Sequence, residues 1–310
     1  MVVFVQFANM KITFLLCLLF SFASLIGQKE TIQDPDTVYH HEKGMLIIPF
    51  EKKMYRSQID KELAEENEKN FPTILSNFRN GVAYQFKYQM LYRYKAFSIF
   101  NLTIDSLRGD LERIYAGVGY TYEVIIDTAG YSEANPLEKL KLDKKIKAAK
   151  NEPVSGTING EIVSTRDTRK KYMKTAIKDT SLLPYLNERY QCSYYLFINE
   201  LDLMNDLSDI NAVSTGKWNR LVKIHFTVIS SNGKTIESGV LEKPFPRDKN
   251  NIDKIISEEF KALATQLRHK MSLHEQQQAM LIQEKDNQSL NELKPVKRKI
   301  ISAKKRIKNN

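Results

Sequence analysis

Apolar and polar positions recur along this chain in two periods, and the switches between them divide it into elements. Residues 44–50 read Gly-Met-Leu-Ile-Ile-Pro-Phe, a short continuous apolar run bounded by Gly and Pro, as in a strand buried on both faces. Ser57 with Asp60 three residues on marks a helix start. Pro72 suits the first turn of a longer helix, on which Phe78, Val82, Phe86, Met90 and Tyr94 recur every four residues and form a core-facing stripe. Residues 96–102 predict a short strand. Residues 105–116 predict a helix with Leu107, Leu111 and Ile114 on one side and Gly117 as its stop. Residues 120–127, rich in aromatic and branched side chains, predict another strand.

The pattern lapses from about 128 to 180, where Asn135-Pro136, a Lys-rich segment, Pro153, Gly156 and Gly160 indicate an irregular insertion with one helix and a hairpin. It recovers at 193–203, a central strand with Tyr194, Leu196 and Ile198 on one side and Tyr195 and Phe197 on the other. In 221–230, Val222, Ile224, Phe226 and Val228 alternate with Lys223, His225 and Thr227, which predicts one buried and one wet face. Asn232-Gly233 turns a hairpin, 235–241 returns, and Pro244 and Pro246 end the pair. Asn251 or Asp253 then caps a helix to Met271 with Ile252, Ile256, Phe260, Leu263 and Leu267 as its seam. The fold class is therefore α/β: a mixed twisted sheet with long flanking helices and an irregular insertion, in a single domain over 44–271. A polar arm (28–43) precedes it, and a polar then basic tail (272–310), expected to be disordered, follows.

Residues 1–27 change the picture of where this domain works. Lys11, the apolar run 12–22 and the small residues Ala23, Ser24 and Gly27 have the order of a secretory signal peptide, with cleavage after Gly27 as the preferred site. The expected location is periplasmic or secreted, with anchoring by an uncleaved leader as the alternative. Cys17 falls inside the leader and lacks the small residue that precedes a lipidated cysteine. Cys192 is then alone, so no internal disulfide forms, and its strand neighbours mark it as a buried thiol.

The net charge of +10 is a property of the tail. Lys294, Lys297, Arg298, Lys299, Lys304, Lys305, Arg306 and Lys308 lie there with no acid, and without them and Lys11 the remaining 38 basic residues face 37 acidic ones. A near-neutral body with one Trp does not fit nucleic-acid binding. The eight tail cations instead suit weak contact with an anionic membrane surface or polymer.

Chemical motifs are sparse. Gly130-Tyr-Ser132-Glu-Ala134 is the nearest approach to a nucleophile elbow, which makes an exported hydrolase with Ser132 as nucleophile the alternative function, with Asp202 and His225 as partners. His40-His41-Glu42 has poor spacing for one metal ion. No cofactor, metal or catalytic residue is assigned.

The element order resembles the periplasmic α/β domain shared by curli secretion channel subunits and the lipoprotein activators of penicillin-binding proteins. The resemblance rests on the strand ending Ile48-Pro49-Phe50, the central strand from Tyr194 to Asn199 and the hairpin turn at Gly233, and it spans about 44–271 without the insertion. It implies a non-enzymatic cell-envelope accessory or assembly protein that binds an envelope protein or the peptidoglycan machinery.

Overall fold

A computed structural model describes residues 43–101, 104–125 and 169–283, with the short pieces 138, 141–144, 147, 156–158 and 161–163 between them. The leader, the arm with His40 and His41, Ser132 and all eight tail cations lie outside the described residues.

The structure is α/β, built on a six-stranded mixed sheet. Strands β1 (Gly44–Ile48), β3 (Lys95–Ser98), β8 (Tyr194–Asn205), β9 (Asn219–Ser230) and β10 (Thr235–Pro246) run in the order β10-β9-β8-β1-β3, and β2 (Tyr55–Ser57) pairs with the far end of β8. β1 is parallel to β3 and β8, and the β8-β9-β10 meander is antiparallel. Two parallel neighbours bury β1 completely, which is why its sequence is a continuous apolar run rather than an alternation.

Odd and even positions of the strands feed two separate cores. Met45, Ile47, Leu196, Ile198, Val222, Ile224, Phe226 and Val228 pack with Phe78, Val82 and Phe86 of helix α2 (Phe71–Met90) and with Phe260, Leu263 and Leu267 of the last helix. Leu46, Ile48, Tyr195, Phe197 and Ile229 pack on the opposite face with Leu111 and Ile114 of α3 (Ile104–Gly117) and Leu182 and Leu186 of α4 (Leu182–Tyr190). The stripe expected on α2 is thus the core seam, and Asn70 caps its first turn by accepting from Thr73 N–H. A shorter helix, α1 (Asp60–Asn67), precedes it.

The last helix, α5, begins at Ile252 under an Asn251 cap, opens into a π-turn at Ile255–Phe260 and continues through 261–283, past the end expected at Met271, because Arg93 and Tyr94 donate to Ser272 and Glu275 and hold the extra turns. The π-turn lies against α2 where Gly81 leaves room: a Cβ there would meet Ile256 side-chain atoms at 2.7–2.8 Å. No helix among the described residues is long and apolar enough to cross a membrane.

Two local expectations change. The hairpin uses Asn232-Gly233 in a three-residue loop, with Gly233 at φ +85° and its N–H donating to Ser230 C=O, and a register shift follows between Thr235 and Glu237. Pro244 and Pro246 do not end the pair, for β10 continues opposite Leu221 and Asn219. β10 is an edge strand, so the N–H groups that proline lacks are not all required by a neighbour.

Candidate functional site

The second face of the sheet changes character halfway along β8 and β9. Beyond Phe197 it presents Asn199, Glu200 and Asp202 from β8, with His225 and Thr227 from β9, all buried. The pairing register slips between Ile198 and Glu200. Such a bulge gives one extra residue, and here the contacts of Asn199 and Glu200 put two consecutive side chains on the polar side.

A two-stranded ribbon covers this polar half. It pairs β4 (Val118–Val124) with β7 (Lys171–Ile177), and β7 lies inside the stretch where the sequence pattern lapses. The free edge of β7 meets side chains in place of a strand. Met173 N–H donates to His225 Nδ1 at 2.8 Å, Thr175 N–H to Thr227 Oγ1 at 3.0 Å, and Met173 C=O accepts from Asn199 Nδ2 at 2.7 Å. Asn199 also accepts from Thr175 Oγ1 at 2.6 Å and donates to Thr227 Oγ1 at 2.9 Å. A buried strand edge requires partners for its amides and carbonyls, and these side chains supply them. The wet face expected for His225 and Thr227 is therefore incorrect: period-two alternation marks a polar face, and the ribbon buries it.

Glu200 sits at the centre of the cluster. Arg56 Nε donates to its carboxylate at 2.8 Å, Tyr122 Oη lies 3.2–3.3 Å from both oxygens, and Arg56 Nη2 donates to Tyr122 Oη at 3.0 Å. Burial raises the Glu200 carboxyl above its ordinary range, as does nearby Asp202, against the opposing pull of His225 and Arg56.

Glu200, Asp202 and His225 offer ligand atoms within 4.8 Å of one another, the spacing a divalent ion would need. The histidine tautomer opposes that use. Met173 N–H points at Nδ1, so Nδ1 holds a lone pair and the neutral ring carries its proton on Nε2, which lies 3.5 Å from Asp202 Oδ2 and 3.9 Å from Glu200 Oε2. A metal-bound Nε2 would require the proton on Nδ1, facing the Met173 proton, whereas metal-ligating histidines donate from their second nitrogen. The cluster is built to hold the ribbon and a proton beside two carboxylates.

A second feature lies on the outer side of α2. Tyr84 and Tyr88 are 60 % and 46 % exposed, and the ring centroids run Tyr84, Tyr88, Tyr92 at separations of 6.4 and 6.1 Å. The Arg268 guanidinium of α5 sits 4.6 Å from the Tyr92 ring centre. The sequence signal for this row is the i, i+4 spacing of the three tyrosines, which the stronger apolar stripe of the same helix obscures. Cys192 is buried, and burial pushes its thiol up to about 12.

The chain matches no known protein-family model, no curated protein and no solved structure.

Proposed function

We propose that this chain is an exported cell-envelope protein that acts without catalysis, by binding another protein of the envelope in or beside the peptidoglycan machinery. The observation that carries this reading is the row of exposed Tyr84 and Tyr88 continued by half-buried Tyr92, with Arg268 beside it. Tyrosine and arginine dominate protein-binding hot spots, because each offers a large amphipathic contact, and tyrosine loses little conformational entropy in making it. A capped helix holds Tyr84 and Tyr88, and Tyr92 follows in the turn at its end, so little further ordering is needed to present the row. The leader-like segment over 10–27 and the resemblance to envelope families support the compartment. Commitment of His225 to the Met173 amide and of Glu200 to Tyr122 and Arg56 supports a binding rather than a catalytic role.

The test is a photo-crosslinking amino acid placed at Tyr88 and, as control, at the exposed hairpin residue Lys234, in intact cells. One discrete protein adduct at position 88, lost when Tyr84→Ala is added and lacking at 234, is the expected result. Identical patterns at both positions, or binding to purified sacculi that ignores Tyr84→Ala and Tyr88→Ala, would overturn the reading.

A further inference from the structure

A cavity of about 510 Å³ opens at the end of the sheet where β8 finishes, β9 begins and β10 finishes, between α1 and the turn at Gly216. The size falls in the range of small-molecule sites.

Its wall contains a buried cation with no direct ion pair. Arg220 is only 2 % exposed, yet among the described residues no carboxylate lies within ion-pairing distance of it. Its Nη1 donates to Asn250 Oδ1 at 2.6 Å, and its buried Nε has no partner. Burying a guanidinium without a direct ion pair is costly: the loss of solvent lowers its pKa, against the opposing pull of Glu62 and Asp248. Charged groups that are buried are normally paired, and Arg220 has only the Asn250 side-chain oxygen.

The rest of the wall has matching chemistry. Gly216 adopts φ +70°, a left-handed turn that brings Lys217 and Trp218 to the rim. The Arg247 guanidinium stacks 3.8 Å from the Trp218 ring centre while its Nη1 donates to Gly216 C=O at 3.1 Å. Trp218 Nε1 donates to Asn205 Oδ1 at 3.2 Å, which fixes the indole against the end of β8. Three cations thus face two wall carboxylates, Glu62 and Asp248, and neither carboxylate is bonded to Arg220.

We propose that this cavity binds a small ligand bearing an oxyanion, carboxylate or phosphate, on an organic body, with Arg220 as the buried counter-charge and the Trp218–Arg247 pair as the platform beside it. A planar fork of donors suits both anions, and a preformed, stacked platform favours a ligand with a flat or apolar portion. This site is separate from the tyrosine row, so either proposal can fail without the other.

The chain's single tryptophan makes the test direct, because its emission, excited to the red of tyrosine absorption, reports on the cavity. The full chain is titrated with benzoate, phenyl phosphate and inorganic phosphate, with sodium chloride at matched ionic strength as control. The expected result is a saturable change in emission with at least one oxyanion and none with chloride; benzoate against the two phosphates tells carboxylate from phosphoryl preference. Arg220→Met is expected to weaken binding at least tenfold with the melting curve retained. Should that variant fail to fold, the rim variant Lys217→Met with Arg247→Gln is expected to weaken it severalfold. No saturable response to any of the three anions, or unchanged affinity in the folded variants, overturns the proposal.

Discussion

His225 shows how the partner of a single nitrogen decides what a side chain can do. Its Nδ1 accepts a hydrogen bond from the Met173 N–H, which sets the tautomer of the neutral ring and ties the residue to ribbon docking. Replacement by Phe leaves a buried N–H with no acceptor, and a stability loss of about 1–3 kcal/mol is expected in urea melts, with faster hydrogen exchange at Met173. Asp110 works by charge. Burial alone would raise its carboxyl, but hydrogen bonds from Tyr185, Tyr190 and Arg189 outweigh that and hold it below the ordinary range. The folded state therefore binds this proton less readily than the unfolded chain. Its stabilising effect is full above the ordinary carboxylate pKa and is lost as pH falls through the lowered folded value. Asp110→Asn should cost about 3 kcal/mol near neutral pH, and the gap to the parent should close in acid; a gap that stays constant with pH would refute the assignment.

Among the elements, the π-turn of α5 packs closely against α2. Ile256 occupies the space that a side chain at position 81 would need, and the crowding atoms include both branches at its Cβ, which cannot swing away freely. Gly81→Ala is expected to cost about 1–3 kcal/mol, and Ile256→Ala added to it should recover part of that loss; additive losses would show that the two sites do not compete for one volume. The β9 face toward α2 is equally intolerant. Phe226 is fully buried between the hairpin and the helices, so Phe226→Asp should abolish cooperative folding, as read by a thermal melt.

At the scale of the whole molecule, the charge is divided between a near-neutral body and the eight cations of 293–310. A field from so compact a cluster is screened within about 8 Å at physiological ionic strength, so any tether it makes should release in high salt. Sedimentation with anionic vesicles, comparing the full chain with a truncation after Glu292, is expected to pellet the full chain only at low salt. Equal pelleting of both would assign the tail no surface role.

The sequence determined the elements whose burial is local and periodic. The apolar run of β1 records cover on both faces, while the stripe from Phe78 to Met90, the apolar half of the alternation in β9 and the seam of α5 each record one covered face, and those faces are buried in the structure. Period two in β9 also marked Lys223, His225 and Thr227 as a polar face, but it carries no information on what lies over that face. Only the tertiary structure decided that, by laying the edge of β7 across β8 and β9 from a stretch of chain without clear periodicity. The unpaired Arg220 was equally hidden, since a lone arginine in a strand looks solvated until the residues around it, brought from α1, β9 and the chain after β10, close off the water. Contacts between residues distant in sequence leave no period behind them, and both sites are made of such contacts.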